Sequence, residues 1–319
     1  GELSVMGLVE VISHLPRLIK LRRQLVARVV TLKPDVFVGI DAPDFNIGVE
    51  KKLKKWSIPV TQYVSPTVWA WRSGRVKTIA KSTDRVMCLF PFEPAYYQKQ
   101  NVAADYTGHP MADEIPLQVE KEPARTALDI RPEGHYIALL PGSRMSEVEK
   151  LSTPMLEAAS ILGRKHPDIN FLMPAATEAI ATHFSSALAA FPAVNCRVFS
   201  GLSKDVMAAA DIVVCASGTA TLEVMLVNRP MVVCYRLAGM TYRLATWFKL
   251  VKSRFFSLPN ILSADAVVPE LLQDEVNGRR IAEEVVRWLD RPESCEKLRQ
   301  RFDQLHGQLR IDAAASAAR

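Results

Sequence analysis

The sequence predicts an α/β protein with two doubly wound domains, and three observations support this fold class. Short β-branched runs alternate with longer helical patterns along the chain. These runs are apolar nearly throughout, which is typical of parallel strands covered by helices on both faces. The chain has 319 residues, more than most single cores contain. We therefore expect two Rossmann-like domains, with a ligand in the cleft between them.

The apolar runs set the order of the elements. The predicted strands cover residues 36–40, 60–64, 86–90, 136–140, 169–173, 212–215 and 231–235. Helical spacing follows several of them, most clearly over residues 147–164, 220–227 and 281–289. Four prolines punctuate a charged stretch between residues 108 and 134, which predicts a linker. We therefore predict one domain over residues 1–120 and another over 121–319, with the last helix returning to the first.

Composition narrows the class of protein without choosing a function. The net charge of +6 and the pI of about 9.1 favour an anionic partner, whether nucleic acid, phosphorylated metabolite or acidic lipid. The five cysteines form no CxxC pair, which predicts reduced thiols in a cytoplasmic protein and no zinc site. No apolar run approaches the roughly 20 residues of a membrane-spanning helix. The chain begins at Gly1 without an initiator Met, so we expect further residues before it.

The sequence Leu-Leu-Pro-Gly-Ser-Arg at residues 139–144 joins a predicted strand to a predicted helix. The first N–H groups of a helix attract phosphate, and the forked guanidinium of Arg144 suits a diphosphate. Ser143 and Arg144 are therefore candidate phosphate ligands. An ordinary strand–helix turn with an exposed arginine explains the same residues.

A second strand–turn–helix unit occurs at residues 212–223. Small residues allow a ligand to approach its backbone, and the hydroxyls cap the helix or bind phosphate. Glu223 lies about one turn into the helix, where its carboxylate either accepts ribose hydroxyls or complements the helix dipole. Neither loop matches the P-loop pattern of ATPases. The candidate ligands in this unit are Ser217, Gly218, Thr219, Ala220 and Glu223.

In the first domain, Asp41 and Asp44 follow a predicted strand, where α/β enzymes place catalytic groups. A carboxylate there can take a proton from an acceptor hydroxyl as a general base. The alternative is structural, with Asp44 capping the next helix and Asp41 ordering the turn.

Other polar and aromatic residues of the first domain are candidate acceptor or lipid contacts. Two tryptophans stand beside arginines in the loop at residues 66–75, which fits either a lipid or sugar pocket or a packed loop. The histidine of a Gly-His-Pro turn either contacts a phosphate or holds the turn. The candidates are Asn46, Trp69, Arg72 and His109.

Two basic segments also carry large apolar residues. Residues 15–29 have the spacing of an amphipathic helix, which either packs on a sheet with a solvated basic face or lies on a membrane. Residues 242–256 interleave aromatic and cationic side chains, as at lipid headgroups, although nucleic-acid binding or a packed helix would use similar residues. No RNA-binding aromatic signature or zinc-finger spacing appears. The predicted membrane contacts are Arg243, Trp247, Phe248, Lys249 and Lys252.

Seven motifs together resemble one family, lipid-A-disaccharide synthase of glycosyltransferase family 19. They are GIDAPDFN at 39–46, YVSPTVWAWR at 63–72, FPFE at 90–93, TGHPMAD at 107–113, LLPGSR at 139–144, ASGTATLE at 216–223 and SLPN at 257–260. The resemblance implies a GT-B fold with the acceptor in the first domain and the UDP-sugar donor in the second. It also implies that a first strand and a glycine-rich loop are missing here.

The resemblance further implies an inverting transfer of 2,3-diacylglucosamine from UDP-2,3-diacylglucosamine to 2,3-diacylglucosamine 1-phosphate. The products are UDP and the β-1,6-linked disaccharide 1-phosphate that precedes lipid A in the lipopolysaccharide of Gram-negative bacteria. Asp41 would be the general base, Arg144 would bind the UDP phosphates, residues 217–220 would bind the donor, and Glu223 would hold the ribose. We expect no metal, cofactor or nucleic acid. Arg144 and helix N-termini can neutralise the diphosphate that metal-dependent transferases clamp through carboxylates, so activity should be full in excess chelator.

The expected location is peripheral, on the inner face of the cytoplasmic membrane, with an anionic membrane surface as partner. The sequence leaves the oligomeric state open, and a homodimer is one option. Two other functions also stay open. One is another GT-B enzyme acting on UDP-GlcNAc-type substrates, either a lipid-linked N-acetylglucosaminyltransferase or a UDP-sugar epimerase. The other is a non-catalytic, basic protein that binds lipid or nucleic acid.

Overall fold

A computed structural model describes residues 8–66, 75–236 and 254–319, without the side chains of residues 8–15 and 75. The described residues form two compact units. The first comprises the residues up to Pro110 together with Ile311–Arg319, and the second runs from Met111 to Arg310. The boundary at residue 120, between an acceptor-binding and a donor-binding domain, remains a prediction.

The first unit is a four-stranded parallel sheet in the order β1-β2-β3-β4. Its strands are β1 (Phe37–Ile40), β2 (Val60–Tyr63), β3 (Arg85–Cys88) and β4 (Ala103–Tyr106). Its helices are α1 (Leu8–Leu32), α2 (Pro43–Leu53), α3 (Arg75–Ser82) and α4 (Pro94–Gln98), with a 3₁₀ turn at Lys54–Trp56. Each strand therefore leads towards the same edge of the sheet, where the loops after β1 and β2 are neighbours.

The core of the first unit confirms the predicted amphipathic helix. Val29 of α1 is buried together with Val49 and Leu53 of α2, and Leu25 and Val26 pack against this cluster. These α1 residues belong to the apolar stripe that the spacing indicated. Burial of the stripe fixes α1 on α2, the helix that begins just after Asp41.

The second unit is a six-stranded parallel sheet in the order β10-β9-β8-β5-β6-β7. Its strands are β5 (His135–Leu140), β6 (Ile169–Ala175), β7 (Cys196–Ser200), β8 (Ile212–Ala216), β9 (Met231–Tyr235) and β10 (Glu270–Leu272). Its main helices are α7 (Met145–Lys165), α8 (Glu178–Leu188), α9 (Ser203–Ala209), α10 (Thr219–Leu226), α11 (Leu258–Ser263), α12 (Gly278–Leu289) and α13 (Pro292–Leu309), with a 3₁₀ turn at Gln273–Glu275. Numbered within the unit, the strand order is 3-2-1-4-5-6, the arrangement of Rossmann domains.

The stretch expected to be a linker carries two short helices, α5 (Pro110–Glu114) and α6 (Lys121–Ala127). Arg125 fixes α6 to the second unit. Its buried guanidinium donates to Asp211 Oδ2 at 3.1 Å and to Ala209 O at 3.1 Å, and it lies 4.8 Å from the centre of the Tyr136 ring. The linker prediction was wrong for α6 because this anchor depends on residues more than 80 positions away. The last helix, α14 (Ala313–Ala318), belongs to the first unit.

Three strands were missing from the sequence prediction, and each lies at an edge of its sheet. They are β4 in the first unit and β7 and β10 in the second. Edge strands are covered on fewer sides, so they need fewer apolar residues; β4 has the sequence Ala-Ala-Asp-Tyr. None of the described helices has the length and apolar composition to cross a membrane.

Gly278, at the start of α12, allows that helix to lie close to α7. A Cβ atom at this position would come within 2.4 Å of Glu157 Cβ and 3.0 Å of Ala158 N. We expect Gly278→Ala to lower the free energy of unfolding by about 1–3 kcal/mol, the usual cost of overpacking.

Gly163→Ala in α7 is the matched control, because a Cβ atom there meets nothing within 4 Å. It should raise stability by about 0.5–1 kcal/mol through better helix propensity. Denaturant unfolding of both variants makes the comparison. Equal stability of the two would show that α7 and α12 do not pack this closely.

Candidate functional site

The second sheet reverses its strand order between β5 and β8. These strands are hydrogen-bonded neighbours, with Ile137 beside Ile212 and Leu140 beside Cys215. The chain runs from β5 to β6 and from β8 to β9 in opposite directions along the sheet. The loops after β5 and β8 therefore diverge and leave a crevice at the carboxyl edge of the sheet. Ligands of doubly wound proteins bind in this position.

The loop after β5 turns sharply into α7. Gly142 has a φ of +126°, and a Cβ atom there would lie 2.4 Å from Glu147 Oε2, so a larger residue would be strained and would clash. Arg144 stands immediately before α7, half exposed, and its Nη1 donates to Glu147 Oε1 at 2.9 Å. Glu147 thereby holds Arg144 at the helix N-terminus.

The loop after β8 repeats this design at the start of α10. Gly218 has a φ of +139° and precedes the first helical residue, Thr219. Ser217 uses both of its donors within the protein: its N–H bonds to Cys234 O at 3.0 Å and its hydroxyl to Phe256 O at 2.8 Å. The serine can accept but not donate a further hydrogen bond in this rotamer, so it fixes the loop. The first N–H groups of α10, which lack partners within the helix, are the donors that remain for an anion.

The two loops line one cavity of about 300 Å³. All seven residues predicted for the donor site contribute to its wall, namely Ser143, Arg144, Ser217, Gly218, Thr219, Ala220 and Glu223. Other residues of the wall were not predicted. They lie in or near the loops after β6 and β7 and at neighbouring positions, and include Glu147, Pro174, Ala175, Ala176, Gly201, Ser203 and Met207. The only local signal for these residues was the glycine turn at Gly201, which follows a strand that was not predicted.

The charges in the cavity suit a ligand with an anionic part and a hydroxyl-bearing part. Two helix N-termini and Arg144 supply positive potential at one side. Glu223, in the first turns of α10, is half buried. Burial raises the pKa of its carboxyl above the usual value, and nearby Lys204 offsets only part of this rise. A half-buried carboxylate is a suitable acceptor for sugar hydroxyls. The cavity therefore has the features of a nucleotide-diphosphate site.

The SLPN segment supports the loop after β8. The carboxylate of Glu270 accepts hydrogen bonds from Ser257 N at 2.8 Å and from the Ser257 hydroxyl. Thr221 Oγ1 accepts from Leu258 N at 3.2 Å, which ties the start of α11 to α10. Asn260 is buried and bonds to the main chain of Val267 and Val268. These contacts hold the loop after β8 and fix the start of α10.

In the first unit, Asp41 lies at the carboxyl end of β1. Asp41 and Ala42 both have positive φ, 49° and 41°, so the turn holds two non-glycine residues in the left-handed region. The main chain of Asp41 is fixed at both ends: its N–H donates to Tyr63 O at 2.9 Å, and its carbonyl accepts from Asn46 Nδ2 at 2.8 Å. The residue is exposed, and among the described residues no hydrogen bond to its carboxylate is present. A rigid turn thus presents an accessible carboxylate.

The remaining predicted contacts have different outcomes. Asn46 donates to the carbonyls of Ile40 and Asp41, so its amide supports the turn. The His109 ring packs 5.5 Å from the Phe90 ring, between ring centres. Trp69 and Arg72 lie outside the described residues, as do the predicted membrane contacts at 243–252. Among the described residues there is no group of three or more metal-ligating side chains.

Known structures share this architecture at low sequence identity. UDP-GlcNAc 2-epimerase from Neisseria meningitidis, solved with UDP-GlcNAc, matches with a TM-score of 0.63 and 13% identity over 99% of this chain and 83% of the epimerase. Sucrose-phosphate synthase from Thermosynechococcus elongatus matches with a TM-score of 0.58 and 12% identity over 100% of this chain and 79% of the synthase. The two Rossmann-like units thus define a protein of the GT-B fold class, as predicted.

Sequence comparison identifies the family within that class. The family model of lipid-A-disaccharide synthetase matches residues 1–319. Lipid-A-disaccharide synthase from Xanthomonas campestris is 45% identical over 100% of this chain and 73% of the relative, and that from Xylella fastidiosa strain M12 is 44% identical over 99% and 83%. The chain belongs to the lipid-A-disaccharide synthetase family and is an enzyme of the glycosyltransferase class, which confirms the resemblance.

Arg144 is the charged side chain of the cavity best suited to a diphosphate, so its removal should weaken nucleotide binding. We expect Arg144→Ala to raise the Kd for UDP about tenfold, which corresponds to roughly 1.4 kcal/mol for a charge-assisted hydrogen bond. Isothermal titration calorimetry with UDP measures the change.

Arg279→Ala is the control, because Arg279 is an exposed arginine that pairs with Glu283 in α12, outside the cavity wall. Its Kd should equal that of the parent. An unchanged Kd in Arg144→Ala would remove Arg144 from the nucleotide site.

Proposed function

We propose that the chain transfers 2,3-diacylglucosamine from UDP-2,3-diacylglucosamine to the 6-hydroxyl of 2,3-diacylglucosamine 1-phosphate. The products are UDP and the β-1,6-linked disaccharide 1-phosphate. The observation that carries the proposal is the convergence of seven donor-site residues on one cavity in a chain of this family. Family membership favours this transfer over the epimerase and the non-catalytic alternatives.

The donor would bind through its UDP moiety in the second unit. Its diphosphate would lie against the N-termini of α7 and α10 and accept hydrogen bonds from Arg144. The carboxylate of Glu223 would accept hydrogen bonds from the ribose hydroxyls. Small residues at Gly218 and Ala220 leave space for the ligand to approach the main chain. Positive charge at the diphosphate stabilises UDP as the leaving group when the sugar–phosphate bond breaks.

The acceptor would be activated by Asp41. Its carboxylate takes the proton from the 6-hydroxyl as the acceptor oxygen attacks the anomeric carbon of the donor sugar. The bond between this carbon and the UDP oxygen breaks at the same time, and UDP leaves with the electron pair. Attack from the face opposite UDP inverts the anomeric centre. The rigid turn of Asp41 supports this role, because a general base needs a fixed position.

We also propose that the enzyme attaches peripherally to the inner face of the cytoplasmic membrane. Both proposed substrates carry acyl chains, and residues 242–256 combine aromatic side chains with four cations. Each cation near an anionic surface contributes about 1 kcal/mol, and salt weakens the attraction.

Replacement of Asp41 tests the catalytic assignment. Asp41→Asn keeps the shape of the side chain and removes its basicity, so kcat should fall by about 10²–10⁴-fold. The Kd for UDP should not change, because the proposed UDP ligands all lie in the second unit.

Asp44→Asn is the matched control, a neighbouring exposed carboxylate in the first turn of α2, and should keep kcat within a few-fold of the parent. Comparable kcat values for the parent and Asp41→Asn would return Asp41 to a structural role.

Vesicle sedimentation tests the membrane proposal. Binding should require anionic lipid, fall with added salt, and drop when Trp247, Phe248, Lys249 and Lys252 are replaced by Ser or Gln. Removing the exposed Lys165 and Lys297 instead gives the same loss of charge elsewhere and should leave binding nearly unchanged. If the fourfold variant, still folded, sediments like the parent, residues 242–256 are not the docking surface.

A further inference from the structure

The turn that carries Asp41 is held by a buried side chain, Gln62 of β2. Its Nε2 lies 3.2 Å from Asp41 O, 3.1 Å from Tyr63 O and 3.3 Å from Val64 O. All three are carbonyl oxygens, which only accept hydrogen bonds. The amide must therefore turn its nitrogen, not its oxygen, towards them.

This orientation leaves Gln62 Oε1 facing Gly39 of β1. A Cβ atom at Gly39 would lie 3.0 Å from Gln62 Oε1 and 2.4 Å from Glu50 Oε1, so both oxygens occupy the space beside this glycine. Glu50, from α2, is fully buried, as is Gln62. Among the described residues, neither carboxyl oxygen of Glu50 nor Oε1 of Gln62 has a hydrogen-bond partner.

Buried acceptors that lie beside the same glycine, with no hydrogen-bond partner among the described residues, are costly. The amide cannot supply the donor, because its nitrogen is committed to the three carbonyls. A proton on Glu50 resolves the conflict, since a protonated carboxyl has one O–H donor and Gln62 Oε1 is an unpartnered acceptor beside the same glycine. The same proton removes the cost of burying a charge.

We propose that Glu50 is a positioning residue that is protonated in the folded enzyme and donates its O–H to Gln62 Oε1, so that Gln62 holds the turn of Asp41. The proposal rests on the proposed role of Asp41 as the general base. The network joins the ends of β1 and β2, where Asp41, Ala42 and Val64 have φ values of 49°, 41° and 73°. Non-glycine residues stay in this region only when their surroundings hold them.

Electrostatics agrees with the geometry, because burial raises the pKa of Glu50 to about 7. The described titratable groups on the elements packed against α2 are the cations of α1, Asp41 after β1, Tyr63 of β2, Lys54 and Lys55 after α2, and Lys77 and Lys81 of α3. Arg22 of α1 lies against Gly48 and donates to Asp44 O at 3.0 Å. Burial, and not a charged neighbour, is the cause of the raised pKa.

Three variants test the proposal in the full chain. Glu50→Gln keeps a donor for Gln62 Oε1, whereas Glu50→Met keeps the length and removes it. We expect kcat within about twofold of the parent for Glu50→Gln, and about tenfold lower or more for Glu50→Met, because displacement of a catalytic group is costly. The KM values and the Kd for UDP should not change. Glu284→Met removes a buried carboxylate of the second unit that pairs with Arg287, and should lower stability without changing kcat.

The pH dependence separates a protonated carboxyl from an ionised one. Its pKa is about 7 in the folded chain and 4.5 as an ordinary carboxyl, so the folded state binds more protons between these values. The stability of the parent should therefore fall as pH rises from 4.5 to about 7 relative to that of Glu50→Gln, and then stay level. The kcat of the parent should likewise fall relative to that of Glu50→Gln as pH rises through about 7.

Infrared difference spectroscopy gives a readout that is independent of activity. At pH about 6, below the pKa of the buried carboxyl, the parent should show a protonated-carboxyl C=O band that Glu50→Gln lacks. Absence of that band, or equal kcat values for folded Glu50→Gln and Glu50→Met, would overturn the proposal. If Asp41→Asn keeps normal kcat, the general-base assignment fails, while the infrared band and the stability profile still decide whether Glu50 is protonated.

Discussion

The hydrogen-bonded pairing of β5 with β8 is the constraint on which the second unit depends. It places two strands that are distant in sequence side by side at the centre of the sheet, with Leu140 beside Cys215 at their carboxyl ends. The helices that follow start from adjacent points and diverge, so their N-termini face one cavity. Without this pairing the glycine turns at Gly142 and Gly218 would be two unrelated loops.

Around that cavity, one arginine, Arg144, and two helix N-termini supply fixed positive potential. Gly142 allows α7 to begin next to the sheet, and Glu147 holds Arg144 there before a ligand binds. The N–H and the hydroxyl of Ser217 both donate hydrogen bonds within the protein, and Glu270 fixes the neighbouring segment by accepting from Ser257. Preorganised donors cost no reorganisation when charge develops on the leaving group, which suits a transfer reaction that releases UDP.

The sequence was sufficient for the alternation of central strands and helices, because strong local patterns encode them. The loops at 139–144 and 216–223 follow from the same patterns, and their convergence follows from Rossmann topology. Edge strands such as β4 were missed because their few apolar residues give a weak signal. Glu50 and Gln62 could not be found, since nothing in a helix or strand pattern reveals that they meet at Gly39. The helix α6 was mistaken for linker because Arg125 anchors it through contacts remote in sequence.

We propose above all that this chain joins two acylated glucosamines, while the bond between the donor sugar and UDP breaks. Incubation with UDP-2,3-diacylglucosamine and 2,3-diacylglucosamine 1-phosphate, followed by mass spectrometry and nucleotide analysis, measures this most directly. We expect the disaccharide 1-phosphate and UDP in equal amounts, and neither product when the acceptor is omitted. UDP release or epimerised donor at the same rate without acceptor, and no disaccharide with it, would contradict the account.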